Sequence, residues 1–100
     1  MLESKIKYQF SAKLWKHKSE GSWYFITIPK NFSTEIRSNL QWQEEGWGRM
    51  KASIIINKLN WNTSIWFDTK VNSYIFPVKL EIRKKLSLKE NEILTVIILV

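Results

Sequence analysis

The chain has no cysteine, so disulfides and thiolate metal sites are excluded. Its one histidine, His17, sits between Lys16 and Lys18 and reads as a surface residue. A histidine-built metal centre is therefore out, and a Ser-His-Asp triad would hang on that single ring. Glycine and proline are scarce, at three and two residues. Gly46-Trp-Gly-Arg has neither the spacing nor the Lys-Ser/Thr of a phosphate-binding loop. Asp68, Glu44 and Glu45 show no pairing at a glycosidase-like spacing, and the adjacent Glu44 and Glu45 read as solvated loop residues. No apolar run approaches the ~20 residues of a membrane span. The opening Met-Leu-Glu-Ser-Lys-Ile-Lys has no apolar signal core. These absences lead us to expect a cytoplasmic protein that is not an enzyme, with no catalytic residue, no cofactor and no metal.

What is present is aromatic and basic. One hundred residues make one domain. The chain is 44% hydrophobic and holds six tryptophans, more than a core of this size needs, so one or two indoles should be partly exposed. The net charge is +7 and the pI near 9.8, a balance that invites nucleic acid or another anionic partner. The charge is spread: residues 1–30 carry +4, residues 31–70 carry +1 and residues 71–100 carry +2. Only residues 5–18 and 83–85 look like patches.

The organising stretch is 61–86. Residues 61–67 alternate with period two, rich in β-branched and aromatic side chains, and predict a strand. Trp61, Thr63, Ile65 and Phe67 share one face and Ser64 and Trp66 the other, so neither face is purely polar. A polar turn at 68–72 follows, where Asp68 and Asn72 suit a left-handed or self-bonding backbone. A second strand at 73–76 ends at Pro77. Val78, Ile82 and Leu86 then recur at helical spacing. Residues 5–16 predict a long first strand, with Ile6, Tyr8, Phe10, Ala12 and Leu14 on its buried face and a lysine row on its solvated one. A loop at 17–22, with Gly21 for the turn, leads to a strand at 23–28. Ser33 reads as the N-cap of a helix of about two turns. The loop 41–48 carries Trp42 and Trp47; two glycines flank Trp47, making it a candidate lip over a pocket. Residues 49–57 predict a strand with Met50, Ala52, Ile54 and Ile56 on one face, and 58–60 the turn after it. The final strand, 93–100, reads as apolar on both faces. The fold expected is mainly β: a small closed or partly open barrel of about six mostly antiparallel strands with one or two short helices.

The sequence also resembles a known family. Trp61-Asn-Thr-Ser-Ile-Trp-Phe, Tyr74-Ile-Phe-Pro-Val-Lys and Ile82-Arg-Lys-Lys carry the resemblance. So do Phe10-Ser-Ala-Lys-Leu-Trp, Gly21-Ser-Trp-Tyr-Phe-Ile-Thr-Ile-Pro-Lys, Glu35-Ile-Arg, Gly46-Trp-Gly-Arg and Leu88-Lys-Glu-Asn-Glu-Ile. Together they are similar to the domain of unknown function 1905 family over nearly the whole chain. Where that family usually has Gly-Asp, this chain has Asn91-Glu92, which keeps a left-handed-tolerant residue and a carboxylate. The resemblance implies a small barrel-like β domain and no particular activity.

Three kinds of function remain. The first is a nucleic-acid-binding module, with bases stacking on Trp23, Trp47 or Trp66 and phosphates met by Lys13, Lys16, Arg83, Lys84 and Lys85. It requires basic and aromatic residues on one face. The second is a small-ligand barrel with an aromatic pocket and Arg49 or Arg83 as a bidentate anchor for an anion, with Ser64 nearby. It requires an enclosed cavity lined by at least two indoles. The third is a protein–protein module, which could take the form of a homo-oligomer. Charge alone places the nucleic-acid reading first.

Overall fold

The structure, a computed structural model, describes residues 5–18, 21 and 23–100, and for Trp47 the backbone only. The first four residues, three of the six in the loop at 17–22 and the Trp47 indole therefore lie outside the described residues.

Among the described residues seven strands form one antiparallel sheet: β1 (Lys7–Lys13), β2 (Trp15–Lys16), β3 (Tyr24–Thr27), β4 (Arg49–Ile56), β5 (Leu59–Asp68), β6 (Ser73–Pro77) and β7 (Ile93–Leu99). Their order is β1-β7-β4-β5-β6-β3-β2. The sheet curls into an open half-barrel. The expected count of six is corrected to seven, and full closure does not occur. The added strand comes from the long first segment. At Leu14 it changes partners: β1 pairs with β7, and β2 pairs with β3. Leu14 itself is fully buried. Its N–H donates to the Glu92 carbonyl at 2.9 Å and its carbonyl accepts from the Asn91 N–H at 2.7 Å. Asn91 adopts a left-handed φ of 69°, the conformation that glycine takes most readily and asparagine tolerates.

The core lies inside the curl. Met50, Ala52, Ile54 and Ile56 all point into it, as their spacing requires, and Ile65, Tyr74, Phe76, Val96 and Ile98 meet them there. Trp61 and Phe67 pack partly against the same core. β7 differs from expectation: Leu94, Val96 and Ile98 are buried, but Ile93 is 64% exposed, so the strand has one core face. The β4–β5 turn is tighter than expected. Asn57 and Lys58 both take positive φ, as a two-residue hairpin of the primed type demands, and β5 begins at Leu59. In the next turn Asn72 is left-handed, and Asp68 Oδ1 accepts the Lys70 N–H at 2.9 Å.

Among the described residues two helices pack into the core, through Ile36 and Ile82. α1 (Lys30–Leu40) begins directly after Pro29, which occupies its N-cap position. It is longer than expected, and Ser33 is not its cap. Ser33 is fully buried; its hydroxyl donates to the Ile28 carbonyl and accepts the Tyr74 N–H. Two short 3-10 turns at 41–43 and 46–48 follow α1. α2 (Leu80–Leu86) ends at Ser87 in a left-handed conformation. Among the described residues no helix is long and apolar enough to cross a membrane.

Candidate functional site

Residues directly opposed in an antiparallel pair share a sheet face. The pairing Met50↔Ile65 lies on the core face. The adjacent pairing Arg49↔Trp66 and the pairing Lys51↔Ser64 therefore lie outside. The same alternation puts Ile26 inside and Phe25 outside on β3. Phe25 and Ile75 are buried yet do not belong to the core cluster. What buries Phe25 is a second aromatic layer on the outer face. Its ring centroid is 5.1 Å from Trp15, 6.0 Å from Trp66, 6.1 Å from His17 and 6.1 Å from Trp23, the last nearly parallel at 11°. The Trp15 indole N–H is fixed by the Thr27 hydroxyl at 2.9 Å. Aromatic pairs of this kind contribute about 0.5–1.5 kcal/mol each beyond area burial, so the layer forms an aromatic platform.

An open cleft of about 310 Å³ runs beside this platform, lined by Trp23, Arg49, Ser64, Trp66, Pro77 and Lys79 among others. Four of the residues singled out in the sequence, Trp23, Arg49, Ser64 and Trp66, thus meet in one place. Trp23 remains 52% exposed. Arg83 stands in an adjoining groove with Trp23, Tyr24, Lys79 and Leu80. Its guanidinium lies 3.9 Å from the Tyr24 ring centroid and its Nε donates to the Val78 carbonyl at 3.1 Å. Lys84 and Lys85 are exposed on α2, outside the lining of the cleft. Lys13 and Lys16 belong to the segment at the two ends of the sheet order and do not line it either. The Trp47 indole lies outside the described residues.

Sequence reasoning missed Lys79, which follows the strand-ending Pro77 by two residues, and the supporting pair Trp15 and Phe25. It also misjudged Glu44. That carboxylate is 9% exposed, accepts the Tyr74 phenol and stands 3.6 Å from Arg37 Nε. Burial pushes the Tyr74 phenol up, and the Glu44 hydrogen bond and charge push it further, with Arg37 opposing.

A family model described as domain of unknown function (DUF1905) matches residues 10–98. The chain belongs to the DUF1905 family. No curated protein matches it. The match starts in β1 and ends in β7, so all of the DUF1905 barrel strands fall wholly or partly within it. Among the described residues no three His, Asp or Glu side chains cluster as metal ligands.

Proposed function

We propose that this DUF1905 domain is a cytoplasmic, non-enzymatic binding module that takes single-stranded nucleic acid in the outer cleft. One observation carries the reading: two indoles, Trp23 and Trp66, and two cations, Arg49 and Lys79, converge on one open groove. Bases stack on the indoles and phosphates meet the cations. Stacking on an aromatic side chain is worth about 1–3 kcal/mol per base and tolerates any sequence. Each phosphate contact releases counterions and makes affinity fall with salt. A groove open to solvent suits a strand passing through. The small-ligand alternative asks for an enclosed cavity, and the cleft that holds both indoles is open.

The test is intrinsic tryptophan fluorescence titrated with a short mixed single-stranded oligonucleotide at low and moderate salt. Saturable quenching that weakens as salt rises supports the reading. An unchanged signal at low salt overturns it.

A further inference from the structure

Arg37 is a cation held between an aromatic ring and a carboxylate. It projects from α1 with its guanidinium carbon 3.8 Å from the Phe67 ring centroid. Its side chain is 33% exposed, and the nearest carboxylate, Glu44, stands 3.6 Å from Nε. That distance is an ion pair and too long for a hydrogen bond. The same Glu44 oxygen is already engaged by the Tyr74 phenol. Nε is buried without an acceptor among the described residues. A guanidinium seated over a ring and one-third exposed is placed to receive a planar or tetrahedral oxyanion through its outer nitrogens.

The space beside it fits such a group. A cleft of about 270 Å³ is lined by Thr34, Arg37, Ser38, Gln41, Phe67 and Asn72. Thr34 lies three residues before Arg37 and Gln41, at the C-cap of α1, four after it, while Ser38 follows Thr34 by four, so all border one cleft. The lining offers hydroxyls and amides around one guanidinium, with no carboxylate. Phe67 and Trp66 point to opposite faces of β5, so this cleft and the outer one are separate.

The geometry points to a second site here, for the phosphate or carboxylate end of a small molecule held by the Arg37 fork. Thr34 and Ser38 supply further hydrogen bonds. The outer cleft takes no part in it, so the inference stands apart from nucleic-acid binding.

The test is a titration with sodium phosphate, and separately sodium acetate, at constant ionic strength against chloride. The side-chain Nε–H resonance of Arg37 is followed by NMR. A saturable shift beyond that given by chloride is expected with at least one anion; phosphate alone selects a tetrahedral group and acetate alone a planar one. The backbone amide shifts of residues 34–41 should show the same saturable response in the wild type, and Arg37→Lys, followed by those amides, should lose it. The double variant Thr34→Val/Ser38→Ala, altered only at exposed helix positions, should keep the fold and bind at least about tenfold more weakly, since one hydrogen bond to a charged group is already worth that much. Trp66→Ala, on the opposite face, should bind as the wild type does. Shifts no larger than those given by chloride with both anions would overturn the site, as would a double variant that binds unchanged.

Discussion

The Ser33 hydroxyl accepts the Tyr74 N–H at 3.0 Å, joining residues 41 apart in the chain. It donates in turn to the Ile28 carbonyl at 3.1 Å. One buried hydroxyl thus ties α1 to β6 and to the residue that follows β3.

Ser33→Ala leaves the buried Tyr74 N–H without its acceptor. The expected cost is about 1–3 kcal/mol. Urea denaturation should show a lower midpoint with an unchanged slope, the signature of lost stability in an intact fold.

Tyr74 sets a pH dependence. Its phenol is raised from the ordinary 10.0, first by burial and then by Glu44. The folded state therefore holds a proton that the unfolded chain gives up near pH 10. The resulting stabilisation is complete below that pH and is lost as pH rises toward the folded-state value. Stability should decline above about pH 10, and Tyr74→Phe should decline less steeply while being weaker at neutral pH. Some slope should persist in the variant, because burial and Glu35 raise Tyr8 in the same direction. Denaturation midpoints across pH 8 to about 11 for the two proteins check this.

In the outer cleft, function and stability should separate. Trp23 is half-exposed, so Trp23→Ala should cost about 1 kcal/mol or less of stability. It should also weaken oligonucleotide binding by about 1–3 kcal/mol. Arg49→Ala and Lys79→Ala should each lower affinity and reduce the slope of log affinity against log salt by about one. A calorimetric melt beside a fluorescence titration at several salt concentrations reads both effects.

Gly48 has a φ of +66°, and a Cβ there would stand 3.3 Å from the Phe67 Cβ. Gly48→Ala should destabilise by about 1–2 kcal/mol from the left-handed backbone alone. Because Phe67 carries the Arg37 guanidinium, the Arg37 Nε–H resonance should move as well.

Much of the sheet was legible because one-sided strands announce themselves. The spacing of Met50, Ala52, Ile54 and Ile56 had one physical solution, and Asp68 and Asn72 marked their turn. Asn91 could be read as a left-handed position because its side chain tolerates that backbone. Other features depend on partners far away in the chain. Period two runs unbroken through Leu14, so nothing local marks where the first segment leaves β7 for β3. Closure of a barrel is set by register and tilt, which alternation does not encode. Ser33 carries the residue type and neighbours of a cap, but its partners come from Ile28 and Tyr74. Glu44 looked solvated because its phenol lies thirty residues on. Of the site, Trp23, Arg49, Ser64 and Trp66 were identified by type, whereas their meeting in one cleft, and the two-sided role of β5, emerged only from the fold.

The pairing of β1 with β7 has a consequence in time. Lys7 lies opposite Leu99 and Lys13 opposite Ile93, so during synthesis β1 waits for β7. Until then its alternating apolar row has no ladder on that side. Contacts this distant in sequence make for slow folding. The hairpins from β4 to β6 are free to form first, and the N-terminal segment fastens last, like a clasp.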